Sequence, residues 1–370
     1  WSRRPSADMD HHKLIHYWYR LIHRYNPFRS EVGLRSIGKP DADSPVLVSG
    51  NYEHTVEQLE EVLVGQNCWL LVADSAGINV WCGAGVGDFN ENKITDAVIA
   101  TGLSDKVRHR RLIVSPLAAV GIHRKRLLEN TGFSAVWGPA HLDDLPRFLG
   151  NGCVRDEGMR LAKFPWRDRW ENAVGMMGVF LLPAVFAWWW PRRVVWFLFS
   201  LAHAIFGSVL FYDRLPPKYP ANKTLLLGVG QALTLWAGNR WWRRDARLGE
   251  RLFLGALAHF LIAIDMIGST PFYKTTIVHW LTTGANRSLF QPVINEKCTS
   301  CGQCLEVCPK GIFFRTAERR MAVNLDRECC ECMACLKQCP FGAIDNQGSG
   351  FKDDIKSLDV LPRLLPRNEG

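Results

Sequence analysis

Cys298-Thr299-Ser300-Cys301-Gly302-Gln303-Cys304-Leu305-Glu306-Val307-Cys308-Pro309 decides how this chain is read. Its cysteines follow C-x2-C-x2-C-x3-C, and a proline closes the run. The same spacing recurs at Cys329, Cys332, Cys335 and Cys339, closed by Pro340. Tight turns between thiolates let sulfurs converge on one metal centre, and the proline stops the local helix. Zinc ribbons also use C-x2-C pairs. Two full runs, each ending in proline, point instead to iron–sulfur chemistry. Disulfides fit worse, because such dense spacings belong to metal sites rather than secreted frameworks.

The paired runs resemble the bacterial two-cluster ferredoxin signature. That resemblance implies two [4Fe–4S] clusters passing single electrons at low potential, in an α+β domain over residues 291–350 with a tail at 351–370. It also implies a crossed ligand set, in which the fourth cysteine of each run serves the other cluster. Cluster 1 would take Cys298, Cys301, Cys304 and Cys339. Cluster 2 would take Cys329, Cys332, Cys335 and Cys308. Cys330 is either an inert neighbour of a ligand or a metal-relay thiol. Cys68 and Cys153 read as structural.

A chain of 370 residues suggests two or three domains. It starts at Trp1, as a fragment would, and no signal peptide is visible. Lys plus Arg exceeds Asp plus Glu by nine, and 15 tryptophans concentrate between residues 166 and 280. Together these favour a membrane surface over nucleic acid. Residues 1–45 form a basic arm without clear periodicity. His11 and His12 there are assigned no chemistry.

Residues 46–165 alternate short apolar runs with helical patterns. Strands are expected at Val46–Ser49, Cys68–Ala73, Arg111–Ser115 and Ser134–Trp137. Helices are expected at His54–Val64, Thr95–Gly102, Leu117–Glu129 and Leu142–Leu149. Such alternation predicts an α/β, Rossmann-like domain with a mainly parallel sheet covered on both faces.

Residues 170–290 are expected to form a transmembrane helical domain of four or five spans. Ala173–Trp190, Val194–Tyr212, Thr224–Gly238 and Leu252–Gly268 are nearly free of charge, and Ile277–Phe290 is a weaker fifth. A span needs about 20 apolar residues. Trp188, Trp189, Trp190, Trp236, Trp241 and Trp242 stand at segment ends, as interfacial aromatics do. An even number of spans would put both flanking domains on the cytoplasmic side of the inner membrane. The arginines at 240, 243, 244, 247 and 251 conflict with that topology.

Between the second and third strands lies Gly77-Ile78-Asn79-Val80-Trp81-Cys82-Gly83-Ala84-Gly85. Small residues around a cysteine allow close approach by a large flat ligand. A cysteine at a helix N-terminus is biased toward thiolate, although a lone cysteine is commonly a small buried hydrophobe. The string resembles the cap-helix motif of the mercury-methylating corrinoid protein family, related to the large subunit of the corrinoid iron–sulfur protein. The likeness also covers Ser44-Pro45-Val46-Leu47-Val48, His109-Arg110-Arg111-Leu112-Ile113 and Gly132-Phe133 through Gly138-Pro139. A membrane-helix domain and a ferredoxin partner, here fused, follow in the family's order.

The resemblance implies a cobalamin-type corrinoid with Cys82 as lower axial ligand of cobalt. Asn79, Val80, Trp81, Gly83, Ala84 and Gly85 would hold the macrocycle. It also implies a methyl donor such as a methyl-folate/methyltransferase system, a low-potential electron donor, and Hg(II) as methyl acceptor. Loss of a methyl group with its electron pair demands two electrons to restore the cofactor, which two clusters can deliver. Three features depart from the family. Gly83-Ala84-Gly85-Val86 replaces Ala-Ala-Gly-Lys, Asp88-Phe89-Asn90 replaces Thr-Phe-Gly, and the chain ends Pro366-Arg367-Asn368-Glu369-Gly370 without a cysteine pair. The expectation is thus a membrane-bound corrinoid methyltransferase with built-in reductant. The alternatives are a membrane electron-transfer module, with His203 and His259 as conceivable haem ligands and Asp265 as an intramembrane polar candidate, or a paralogue serving another acceptor.

Overall fold

The computed structural model describes residues 28–163, 165–166, 169–170, 173–174, 191–211, 220–242, 248–265, 290–327 and 329–348. The chain divides into two compact units. One joins the described residues of Pro27–Lys163 to those of Phe290–Gly370, and the other lies within Phe164–Leu289.

In the first unit the elements run β1 Gly33–Ile37, β2 Val46–Gly50, α1 Glu53–Val62, β3 Cys68–Ala73, α2 Val80–Val86, α3 Glu91–Ala100, α4 Leu103–Lys106, β4 Arg111–Val114, α5 Arg124–Thr131, β5 Ser134–Trp137 and α6 Leu145–Gly150. The sheet order is β1-β3-β2-β4-β5. β2, β3, β4 and β5 pair in parallel, and β1 adds an antiparallel edge. Period-two alternation splits the central strands between two cores. Val46, Val48, Leu71, Leu112 and Val114 face α2, α3 and α5. Leu47, Leu70, Val72 and Ile113 face α1 and α6. Both faces are therefore covered, as parallel sheets require.

The expected strands are present. The expected helix Leu117–Glu129 is instead a 3-10 turn at Pro116–Ala118, a loop, and then α5. The loop packs closely at Gly121, where a Cβ would lie 2.2 Å from the Phe89 carbonyl oxygen and 2.8 Å from Ala84 Cβ. The helix expected at Thr95 begins earlier, because the Asn90 side chain accepts from the Asn92 and Lys93 amides and starts α3.

The second unit contains α7 Pro191–Phe211, α8 Pro220–Trp242 and α9 Leu248–Asp265. Among the described residues no helix is long and apolar enough to cross a membrane. This corrects the expected transmembrane domain and, with it, the inner-membrane placement. The apolar runs are interrupted. α7 opens Pro191-Arg192-Arg193, α8 carries Asn222, Lys223, Gln231, Asn239 and Arg240, and α9 carries Glu250, Arg251 and Asp265. Polar groups also join the helices. Gln231, 2% exposed, donates to the Ser200 carbonyl at 2.8 Å, and the Arg251 guanidinium stacks 4.1 Å from the Trp196 ring centroid. His203 Nε2 lies 3.3 Å from Thr234 Oγ1. The side chains of His259 and Asp265, most of Ala173–Trp190, residues 277–289 of the fifth expected span, the first 27 residues and the 351–370 tail lie outside the described residues.

Residues 290–348 add β6 Pro292–Ile294, α10 Gln303–Val307, β7 Phe313–Arg315, β8 Met321–Val323, α11 Ala334–Gln338 and β9 Ile344–Asn346. β6 pairs with β9 and β7 with β8, both antiparallel. The halves repeat each other down to backbone sign. Ser300 and Glu331, Gly302 and Met333, and Gly311 and Gly342 form matched pairs, all at positive φ. Met333 stands where the first half uses glycine, a left-handed conformation costing about 1–2 kcal/mol for a residue with a Cβ.

Candidate functional site: two cysteine loops docked beneath a cysteine-bearing cap helix

The positive-φ turns aim backbone amides at sulfur. Ser300 N–H donates to Cys298 Sγ at 3.4 Å, Glu331 N–H to Cys329 Sγ at 3.3 Å, and Ala343 N–H to Cys339 Sγ at 3.2 Å. Cys308, from the first run, lines one cavity with Cys329, Cys332 and Cys335 of the second, beside Phe313 and Met333. Cys330 lines it as well and is 2% exposed. Cys304 lies within electrostatic reach of Cys298 and Cys301, and burial pushes its thiol up to about 12. Burial likewise raises Cys335, with Cys329 and Cys308 adding to it. Thiolates gathered in such a place need a cation to offset desolvation and mutual repulsion. The donor set therefore fits cationic iron centres. Among the described residues, no three His, Cys, Asp or Glu converge as ligands of a single metal ion would.

Cys82 lies in the first full turn of α2. The cap is Asn79, whose Oδ1 accepts from the Trp81 amide at 3.1 Å and the Cys82 amide at 2.9 Å. Asn79 Nδ2 lies 3.5 Å from Cys82 Sγ. One side chain thus starts the helix and orients the thiol. Burial raises the Cys82 pKa, and the Asn79 hydrogen bond opposes it. The net shift is upward, opposite in direction to the thiolate bias expected at a helix N-terminus. Asn79, Val80, Trp81 and Cys82 are half-buried, whereas Gly83, Ala84 and Gly85 are buried. The small residues seat the helix on protein. A Cβ on Gly83 would lie 3.3 Å from Phe89 Cβ, and Ala84 abuts Gly121. Phe89, 0% exposed, is the floor of this arrangement. Cys68 is also fully buried, and burial pushes its thiol to about 11. That suits an inert core position, with Cys153 packed on the same core.

The cap helix and the cysteine loops share one hydrophobic core. Val307 and Ala334, from the two loop helices, join Ala84, Phe89 and Ala119, and Cys332 packs against them. Polar contacts close the junction. Gln338, 8% exposed, donates through Nε2 to the carbonyls of Ala119 and Ile122, each at 2.7 Å. Arg124 Nη1 donates to Gln303 Oε1 at 2.9 Å. Arg155 and Arg160 both pair with Glu306, the latter at 3.1 Å. Ala162 N–H donates to the Pro309 carbonyl at 2.9 Å. Sequence reasoning singled out Ala84 and Cys332 as site residues and found none of these polar pairs. Each joins residues over a hundred positions apart, and no local pattern marks such pairs.

Residues 22–149 match the family model described as CO dehydrogenase/acetyl-CoA synthase delta subunit. Residues 297–344 match a 4Fe-4S dicluster domain. Among similar proteins are the acetyl-CoA decarbonylase/synthase complex subunit gamma of Methanopyrus kandleri, 34% identical over 134 residues, covering 35% of this chain and 29% of that protein. The same subunit of Methanocaldococcus jannaschii is 34% identical over 127 residues, covering 34% and 26%. That of Archaeoglobus fulgidus is 32% identical over 115 residues, covering 30% and 24%. The match thus spans less than a third of these relatives' length. It fits the corrinoid protein family and an iron–sulfur dicluster domain, and it carries no sign of mercury specificity.

Proposed function

We propose that this chain performs corrinoid-dependent methyl transfer and reduces its own cofactor through the fused iron–sulfur domain. The observation that carries the reading is the common core joining the Cys82 helix to both cysteine loops. A bound corrinoid supplies a cobalt able to carry a methyl group, and soft thiolates suit soft metals. In this reading Cys82 would offer its Sγ to the cobalt, while Asn79 holds that sulfur in one orientation. Val80 and Trp81, both half-buried, precede it on the helix, and Gly83, Ala84 and Gly85 keep the helix pressed on Phe89 and Gly121.

Cys298, Cys301, Cys304 and Cys339 hold cluster 1 in the same proposal, and Cys329, Cys332, Cys335 and Cys308 hold cluster 2. The cavity shared by Cys308 and the second run supports the crossing. Cys308→Ala should therefore remove the cluster of the second run and spare the first, leaving about half the iron and one reduced-cluster signal by electron paramagnetic resonance. Loss of the first cluster alone would reverse the assignment.

Hg(II) is the acceptor that the sequence motif implies, and assembly with partner subunits is what the relatives' names suggest. The function and the acceptor meet one experiment. Reconstituted protein should bind about one corrinoid and about eight irons per chain. Anaerobic incubation with methyl-corrinoid should then methylate Hg(II). Iron without corrinoid, after ample cofactor supply, would refute the function. Corrinoid binding without methylmercury would refute the acceptor alone.

A further inference from the structure

Eight cysteines belong to the two runs, and Cys301 is the exposed one. In the second set, Cys332 packs against the core shared with the cap helix. Of the two proposed ligand sets, the first therefore carries the exposed cysteine, and the second carries the one packed toward the α/β domain. Beside Cys301 rises the β7–β8 hairpin. Arg315 Nη1 donates to the Ser300 carbonyl at 2.9 Å, and its Nη2 would lie 2.7 Å from a Cβ on Gly302. This guanidinium is thus held against the Cys298–Cys304 loop. Arg319 and Arg320 occupy the hairpin turn, and all three arginines are exposed. Among the described residues none of the three forms an ion pair. Glu318 is the hairpin's single acid, and its carboxylate accepts from Thr316. Phe314, 44% exposed, adds an apolar contact on the same strand.

We propose that this face is the electron-entry port, and that its partner is a small acidic one-electron carrier protein. A cationic rim around an exposed cluster edge steers an anionic partner into a productive encounter. Redox encounters use small, transient interfaces, which a single hairpin can supply. Each encounter transfers one electron. The carrier is oxidised by one unit, a [4Fe–4S] cluster passes from 2+ to 1+, and no bond forms or breaks. Electrons then leave through cluster 2 toward the α/β domain. The inference rests on the two-cluster reading and is independent of the corrinoid.

The test uses the full chain with reconstituted clusters. Bleaching of cluster absorbance is followed by stopped flow with two donors: an acidic flavodoxin in its fully reduced form, and the reduced methyl viologen cation. The variants are Arg319→Glu with Arg320→Glu, and separately Arg315→Gln. Charge reversal should slow flavodoxin-driven reduction by about tenfold or more and flatten its salt dependence. Reduction by the viologen cation should not slow, because the same reversal attracts it. Flavodoxin rates unchanged by reversal, or equal slowing with both donors, would overturn the port. A chain that shows no cluster absorbance would overturn the port together with the two-cluster reading beneath it.

Discussion

Cys82→Ala should abolish methyl transfer and remove the absorption feature of a cobalt–thiolate bond, while about eight irons stay bound. The reasoning is local. Cys82 Sγ is the sulfur that the Asn79 cap orients on α2, and alanine offers no donor atom. Alanine also has higher helix propensity than cysteine, so α2 itself survives. Burial holds the unliganded thiol protonated at neutral pH. Binding to a cationic centre must therefore release a proton, and apparent affinity should rise with pH. Loss of that pH dependence in Cys82→Ala separates a ligand role from a packing role. Retention of both the spectral feature and transfer would refute the assignment.

The second large effect is expected at Gln338. Gln338→Ala removes the one amide that serves two buried carbonyls, those of Ala119 and Ile122. A buried acceptor left unmatched costs about 1–3 kcal/mol, so the pair costs on the order of 2–6 kcal/mol at the junction. Gln338 ligates no iron in the proposed set, so iron content should hold. Cluster absorbance should then be lost at clearly lower urea in the variant than in the unaltered chain. An unshifted midpoint would show that the apolar contacts of Val307 and Ala334 suffice.

The cysteine runs were legible because metal ligation writes itself into short spacing. The parallel strands were legible because burial on both faces demands continuous apolar runs such as Cys68–Ala73. β1 was missed. Gly33–Ile37 is an edge strand carrying Arg35, which pairs with Glu60 at 2.6 Å, and its polarity resembles that of a loop. The seven-residue α2 is too short to show a period, and its reading came from family likeness. Asp88-Phe89-Asn90 stood out as a departure from the family motif, yet Phe89 is the floor of the cap helix and Asn90 begins α3. The membrane reading failed for a physical reason. Helices that pack on one another through Ser200 and Gln231 need apolar surface just as spans do, so a run of apolar letters does not distinguish the two solvents.

If the proposed function holds, fusion through the Glu306 and Gln338 contacts also changes the kinetics of reduction. A separate donor delivers electrons at a rate that falls on dilution, whereas a tethered and clamped one keeps constant local abundance. Passage between the two halves should obey first-order kinetics at every protein concentration, and only the outer step, at the arginine hairpin, should respond to how much carrier is present.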